Sequence, residues 1–459
     1  MMAPQRQLFG TDGIRGVAGE FPLDKRTVFA IGSALGHRLA AAGKHKRAVI
    51  GQDTRESSHW IANIIASGLM SAGIQVESAG VLTTPGIAYL ARSNSFAAGI
   101  VVSASHNPWM DNGIKVFSAD GYKLPDVVEH EIEGEIFAAL EKHSDEAFKA
   151  APPFSTLPGR SEIREDYVRW LTTNVAGDFS KLKVLIDAAN GAVSSIAGDV
   201  FGACGVAARF INDLPDGRNI NRNCGALHPE MIGRALASEP GVYDIGITFD
   251  GDADRALFAD AAGRIVNGDA VLLLAAREMQ AHNTLAGSLV VATTMSNMGL
   301  EIALRRSGIR MLRAPVGDKY VLEEMLKNGA TLGGEQSGHI IFRDGDATTG
   351  DGLLTALRVL QIMARTGKSL AELIGDLHLL PQTIRNIRVR EKKPLIEIRE
   401  VAQAISKAEA ELDGNGRVVV RYSGTEALAR VMVEAESEEK MHHITNSIAE
   451  AIQRALGVQ

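Results

Sequence analysis

Cysteine is nearly missing from this chain: Cys204 and Cys224 are the only two in 459 residues, twenty positions apart. Neither belongs to a C-x-x-C pair, so zinc-type ligand spacing is absent. Two thiols cannot staple a chain of this length, which excludes a disulfide scaffold and suits a reducing compartment. Aromatic residues are also scarce, at 5%. No uncharged apolar stretch reaches the roughly 18 residues that cross a bilayer. Met1 to Gln7 lead into Leu8-Phe9-Gly10 without the apolar run of a signal peptide. A basic tract is lacking too: 48 Lys and Arg face 55 Asp and Glu, for a net charge of −7. That argues against nucleic acid as the main partner. The expectation is a soluble, cytoplasmic protein with neither a membrane nor a nucleic-acid partner.

Glycine is what the chain has in excess: 47 residues, against roughly 7% in an average protein. With 45% hydrophobic and 22% charged residues, the composition is globular. At roughly 100–200 residues per domain, the length suggests three or four domains. Glycine-rich and aromatic-poor chains of this size suit α/β folds with many tight strand-to-helix turns.

The apolar pattern supports that class. Strands are predicted at Arg47–Ile50, Ile74–Val76 and Ala97–Val102, with a helix over His59–Ala72. The rhythm restarts with a strand at Lys181–Ile186, a helix over Ala192–Gly202 and a strand at Asp244–Phe249. It restarts again at Ser288–Ala292, with a helix over Met298–Arg306 and a strand at Ile309–Leu312. Strands separated by crossover helices imply parallel sheets covered on both faces. The C-terminal part differs, with strands at Thr383–Val389, Arg417–Val420 and Leu428–Val433. Its last helix carries Met441, Ile444, Ile448, Ile452 and Leu456 as one apolar stripe. The expected fold is three similar α/β domains with parallel-rich mixed sheets plus a smaller C-terminal α+β domain. Boundaries are placed at 1–153, 154–258, 259–373 and 374–459, with a linker around Ala150–Phe154 and another around Ile374–Pro381.

Four loops carry candidate chemistry. Ser103-Ala-Ser-His-Asn-Pro108 follows an apolar strand and places Ser105 where open α/β sheets bind ligands, although its residues also suit an ordinary turn. Ser105 and His106 are adjacent in sequence, which makes a protease-type pair between them awkward. Asp250-Gly-Asp-Ala-Asp-Arg255 offers Asp250, Asp252 and Asp254 at alternate positions, a set that suits a hard cation such as Mg²⁺ or Ca²⁺. It is not an EF-hand, because Arg255 and Ala261 stand where that loop needs Gly and Glu. An aspartyl-phosphate loop of the D-x-D-x-T/V type is closer, but Asp254 occupies its small-residue position. Gly333-Gly-Glu-Gln-Ser-Gly-His339 presents Glu335, Ser337 and His339 to a polyhydroxyl ligand. Arg421-Tyr-Ser-Gly-Thr-Glu426, with Arg430 downstream, suits a phosphate dianion. Near the N-terminus, Gly10-Thr-Asp-Gly-Ile-Arg-Gly16 sets Arg15 between glycines, where it can approach an anion. Asp53-Thr-Arg-Glu56 is a weaker candidate of the same kind. A serine, a hard-metal site, a sugar-type loop and a phosphate cradle together are what moving a phosphoryl group on a sugar requires.

Six of these segments resemble, in order, the motifs of the α-D-phosphohexomutase family. They are Phe9–Gly16, Ser103–Pro108, Asp111-Asn-Gly-Ile-Lys115, Asp250–Arg255, Gly334–His339 and Arg421–Glu426. The resemblance implies four domains around a central cleft and a phosphoserine at Ser105. It implies Mg²⁺ held by Ser105, Asp250, Asp252 and Asp254, and Lys115 and Arg15 assisting proton and charge movements. Glu335 and Ser337 would bind sugar hydroxyls, with His339 as a proton acceptor. Arg421, Ser423, Gly424, Thr425 and Arg430 would hold the distal phosphate. The implied ligands are a phosphosugar and, as intermediate and activator, glucosamine 1,6-bisphosphate; a homodimer is left open. Gln336 is similar to the glucosamine branch, where the glucose and mannose branches usually carry Met. Ala253 and Ala427 depart from the branch's usual glycine and proline.

Overall fold

The computed structural model describes residues 8–10, 12–43, 45–142, 161–345, 347–423 and 427–458. The expected linker at Ala150–Phe154 lies outside them. The chain divides into two compact units, Met1–Thr294 with Leu312–Ile374, and Met295–Met311 with Gly375–Gln459.

The first unit is built on three sheets. Strands β1 (Phe9–Gly10), β2 (Gly13–Val17), β3 (Arg47–Gln52), β4 (Gln75–Val81), β5 (Ala98–Val102) and β6 (Asp111–Ser118) form one sheet in the order β1-β2-β6-β5-β3-β4. Strands β7 (Lys183–Asp187), β8 (Ala207–Ile211), β9 (Ile245–Phe249), β10 (Ala256–Asp260) and β11 (Ile265–Val266) form a second, β11-β10-β9-β7-β8. The third contains β12 (Leu289–Thr293), β13 (Arg310–Ala314), β14 (Leu332–Gly334) and β15 (Ile340–Phe342) in the order β13-β12-β14-β15. Each sheet is mixed, so the expected α/β class holds, with one difference that matters for chemistry. In all three, a central strand pairs in parallel on one side and then turns back into an antiparallel neighbour: β5 to β6, β9 to β10 and β14 to β15. The serine, aspartate and Glu-Gln-Ser loops are the turns of these three strand pairs, not strand-to-helix turns. Strands β6, β10 and β15 escape the apolar pattern because β15 has only three residues, β10 ends on Asp260 and β6 opens with Asp111 and Asn112.

The boundary expected at 258/259 falls inside β10, whose ladder to β9 and β11 runs on to Val266. The expected Ala192–Gly202 helix is a 3₁₀ turn at Ala192–Ser195 followed by a helix at Ala197–Ala203. Helix Met298–Arg306 matches its expected bounds but belongs to the second unit, where the Met298 N–H donates to Glu434 at 3.1 Å.

The second unit has one antiparallel sheet, in the order β16 (Gln382–Arg388), β18 (Leu428–Glu434), β17 (Arg417–Tyr422). Helix Glu438–Leu456 lays the predicted stripe of Met441, Ile444, Ile448, Ile452 and Leu456 into its core beside Val431 and Val433. Complete burial of one such side chain is worth about 1.5–3 kcal/mol. No helix among the described residues is long and apolar enough to cross a membrane.

One buried acid links the elements behind the site. Asp351 caps helix Gly352–Thr366, accepting the Leu354 N–H at 2.9 Å, and also accepts the Tyr167 hydroxyl at 2.8 Å. Burial, partly offset by those hydrogen bonds, raises its carboxyl to about 6. Between the ordinary aspartate range and that value, the folded chain binds a proton that the unfolded chain has lost. This group's contribution to stability therefore drains away as pH rises through the window. Asp351→Asn keeps a capping side chain and removes the titration. Its stability relative to wild type should rise by about 3 kcal/mol between pH 4 and pH 7, read by urea unfolding at each pH. A difference that stays flat with pH would contradict the assignment.

Candidate active site

The serine turn is held in an unusual conformation. Ser105 is buried and has φ +51°, the left-handed region that residues other than glycine seldom adopt. Its N–H donates to Ser103 Oγ at 3.0 Å, and its carbonyl accepts from Arg55 at 3.2 Å and Asn221 at 2.9 Å. Asp53 in turn accepts from the Ser103 and Ser58 hydroxyls, each at 2.6 Å, and pairs with Arg55. Asp53 and Arg55 thus brace the serine loop, and the Arg55 side chain is buried there, which displaces the expectation that this segment approaches an anion. The left-handed turn also brings Ser105 Oγ within 3.3 Å of His106 Nδ1, a contact that adjacency in sequence made look awkward. Burial, with Arg255 and Arg15 nearby, lowers the His106 pKa.

The aspartate turn closes on this serine. Ser105 Oγ donates to Asp250 Oδ2 at 2.6 Å. Gly251 makes the approach feasible: a methyl group there would lie 2.4 Å from the Ser105 carbonyl oxygen. Ala253 has φ +55°, so alanine bears a strain of roughly 1–2 kcal/mol that the branch's usual glycine avoids. Asp250, Asp252 and Asp254 are all buried, each offering one oxygen within 4.8 Å of the others. Asp252 Oδ2 accepts from Thr84 Oγ1 at 2.5 Å and Lys115 Nζ at 2.8 Å, while Asp252 Oδ1 is buried without a hydrogen-bond partner. Asp254 Oδ1 is likewise buried without one. Two orphaned carboxylate oxygens in a three-aspartate cluster fit a hard divalent cation, so this cluster can bind a metal ion.

Charge elsewhere in the site alternates. Lys115, on β6, lies 2.9 Å from Asp12, 2.8 Å from Asp252 and 3.4 Å from Asp254. Burial works against its charge, but those three carboxylates outweigh it and hold the ammonium well above its ordinary pKa. A lysine so caged supplies charge, not a vacant base. Asp250 is pushed well up by burial and by its two sister aspartates. Burial also raises Asp254, yet Lys115, His339 and Arg255 hold it well below the usual carboxylate range. His339 faces Asp254 and Asp318 at 3.7 Å each, and Nε2 accepts the Gly350 N–H at 3.0 Å. Burial opposes a charge on the ring, while Asp254, Asp318 and Glu335 raise its pKa. The Gly350 N–H needs a lone pair on Nε2, so in this geometry the proton sits on Nδ1, toward Asp254.

These loops line a cavity of about 410 Å³ whose walls include Asp12, Arg15, His106, Asp254, Arg255, Asp318, Glu335 and His339. Arg15 donates to Asp12 at 2.5 Å, Asn107 at 3.1 Å and the Ala104 carbonyl at 3.2 Å. Glu335 accepts the Gly317 N–H at 2.9 Å. Ser337 is half-buried in the same loop but is not on the cavity wall. Gln336 turns away, its amide donating to Asp269 at 3.4 Å, so it packs the loop and makes no contact with the cavity. Asp12, Arg255 and Asp318 were not singled out as site residues; their one sequence signal is position, inside or beside glycine-rich turns.

The second unit carries the remaining candidates. Arg421 and Arg430 stand directly opposite each other on β17 and β18, an unfavourable like-charge pair in an antiparallel ladder unless an anion lies between them. Buried Ser423 sits beside Arg430, with Ser423 Oγ 3.4 Å from its guanidinium, and its carbonyl accepts Lys392 Nζ at 2.7 Å. Lys392 went unnoticed because it lies thirty residues before the motif. Gly424 and Thr425 lie outside the described residues.

A buried serine against a metal-competent carboxylate cluster, behind a cavity edged by arginines, has the parts of a phosphoryl-transfer enzyme. Four phosphoglucomutase/phosphomannomutase families match the chain: α/β/α domain I over residues 6–143, domain II over 165–263, domain III over 267–379 and the C-terminal domain over 385–451. The chain belongs to the phosphoglucomutase/phosphomannomutase family. It is 64% identical over 459 residues to a protein of Koribacter versatilis named phosphoglucosamine mutase, covering all of this chain and 99% of that one. Among solved structures, it resembles a phosphoglucomutase/phosphomannomutase family protein from Burkholderia thailandensis. There the TM-score is 0.77 at 25% identity, covering 98% of this chain and 99% of that one. The fold is shared with the Aspergillus fumigatus N-acetylphosphoglucosamine mutase in complex with GlcNAc-6P and magnesium, with TM-score 0.62 and 18% identity, over 99% of this chain and 96% of that one.

The raised Asp250 carboxyl makes metal binding proton-linked. A divalent cation on this cluster favours ionised Asp250, so as pH falls into the range where Asp250 takes up its proton, affinity should weaken and binding should expel a proton. Mg²⁺ titrations by calorimetry, in buffers of different ionisation enthalpy, should give heats that depend on the buffer. Buffer-independent heats would contradict this.

Proposed function

We propose that this enzyme is an isomerase that interconverts glucosamine 6-phosphate and glucosamine 1-phosphate, as a phosphoglucosamine mutase. The observation that carries the reaction type is the Ser105 hydroxyl on Asp250 at 2.6 Å, beside two carboxylate oxygens with no hydrogen-bond partner. The amino-sugar substrate is supported by the 64% identical relative of that name, not by Gln336, which faces Asp269.

In this reading Ser105 carries a phosphoryl group. The Ser105 Oγ–P bond breaks as a sugar hydroxyl oxygen bonds to phosphorus, giving glucosamine 1,6-bisphosphate. The hydroxyl proton ends on Ser105 Oγ. After the bisphosphate turns over, Ser105 takes back the phosphoryl group from the other end. Asp250, Asp252 and Asp254 would hold Mg²⁺ together with the phosphoserine, where the ion supplies neutralisation of charge on the transferring group. Lys115 adds fixed positive charge beside the same aspartates. Arg15 and Arg255 offer guanidinium donors at the cavity wall. Glu335 orients sugar hydroxyls, and the His339 ring stands by as a proton carrier. Arg421, Ser423 and Arg430 bind the phosphate that does not react, joined in this reading by Gly424 and Thr425, and remote binding of that kind holds the reacting end in register.

Turnover of glucosamine 6-phosphate with Mg²⁺ and a catalytic amount of the bisphosphate should exceed that of glucose or mannose phosphates in kcat/KM by at least about tenfold. Ser105→Ala should lower kcat by a factor on the order of 10⁴ or more, because among the described residues Ser105 is the hydroxyl that donates to Asp250. Full turnover in that variant would overturn the covalent route. A preference for glucose or mannose phosphates would keep the route and move the substrate.

A further inference from the structure

Six side chains around the cavity form a closed ring in which carboxylates alternate with nitrogen groups. Starting at Asp12, the ring runs to Lys115 at 2.9 Å, to Asp254 at 3.4 Å, to His339 at 3.7 Å and to Asp318 at 3.7 Å. Lys123 closes it, bonding Asp318 and, at 2.6 Å, Asp12. Its members come from all three sheets' loops: Asp12, Lys115 and Lys123 from the first, Asp254 from the second, Asp318 and His339 from the third. Five of the six either line the cavity or touch the metal-competent aspartates. Lys123 does neither. Its side chain is 14% exposed and lies behind Asp12 and Asp318, along a separate apolar groove with Leu124 and Leu322.

We propose that Lys123 is a positioning residue for phosphoryl transfer: its ammonium joins Asp12 to Asp318 and so sets how Lys115 and His339 face each other across the cavity. The inference rests on the mutase reading. Lys115 is anchored from behind by Asp12, and Asp318 flanks His339 on the side away from Asp254. Without Lys123, Asp12 would keep Lys115 and Arg15, but Asp318 would lose its lysine and the link between the two carboxylates would be gone. Their repulsion would part the turn that carries Asp12 from the start of helix Asp318–Asn328, and the groups they anchor would move with them. Displacements of about 1 Å in an aligned site cost on the order of 10²-fold in rate. Because Lys123 is not on the cavity wall, the loss should fall on kcat and leave KM nearly unchanged.

The test uses the full chain phosphorylated on Ser105, comparing wild type with Lys123→Met and Lys123→Arg. Wild-type turnover is established first on glucosamine, glucose and mannose phosphates, and the best substrate is carried forward. Lys123→Met should lose on the order of 10²-fold in kcat with KM within about threefold, and Lys123→Arg, which keeps the charge, should recover most of the loss. If Lys123→Met fails to fold, Lys123→Gln, which keeps a polar stem without the charge, takes its place and should show the same split. A folded Lys123→Met variant with unchanged kcat, a loss carried by KM alone, or an arginine variant no better than methionine would overturn the role of Lys123 and leave the mutase reading standing. A wild type that turns over none of the three sugars would overturn both.

Discussion

The constraint on which this site depends is an excess of buried negative charge. Asp12, Asp250, Asp252, Asp254 and Asp318 converge, and the lysines among them are Lys115 and Lys123. Such a cluster folds only if every carboxylate is neutralised, protonated or hydrogen-bonded. The chain uses charge pairing and hydrogen bonds together. Lys115 and Lys123 each serve more than one acid, Asp250 has a raised pKa and accepts the serine hydroxyl, and Asp252 takes a threonine hydroxyl. What remains unsatisfied is two oxygens, on Asp252 and Asp254, both on the metal-competent face. The electrostatic deficit is therefore focused where a divalent cation would act.

The same need explains the architecture. A parallel strand that turns directly into an antiparallel neighbour gives a short, rigid loop whose ends are both in a sheet. The first unit repeats that device three times, for Ser105, for Asp250 to Asp254 and for Glu335 to His339. Close packing is then possible only with glycine at the crossing points, as at Gly251 under the Ser105 carbonyl and at Gly350, where a methyl group would overlap the His339 ring.

Much of this was legible beforehand, and the boundary of legibility has a physical form. Central strands were readable because Ile, Val and Leu recur in short runs, and the last helix because its stripe has the helical period. Ser105, the three aspartates and Glu335 were readable because each stands in a glycine-punctuated loop with chemistry of its own. Asp12, Lys123 and Asp318 were not readable as a group, since their meaning lies in a ring that joins positions over 300 residues apart. Arg55 shows the opposite limit: its segment suggested an anion, and its side chain pairs with Asp53, while Gln336, which reads as a marker of the glucosamine branch, packs on Asp269. Motif residues announce reactive groups, whereas the groups that hold them in place are ordinary charged residues made special only by the fold.

That division is clearest in the serine turn. Phosphoryl transfer needs rigid geometry, and the first unit supplies it at Ser105 through a left-handed turn locked by Ser103, Arg55 and Asn221. The strain of that turn is tolerable only because the loop is braced on every side. In the second unit, Arg421 and Arg430 stand opposed on neighbouring strands and concentrate positive charge there. A hydroxyl fixed on Asp250 before any ligand arrives needs no reorientation when charge develops beside it, so the residues that brace the turn decide how well it is aligned.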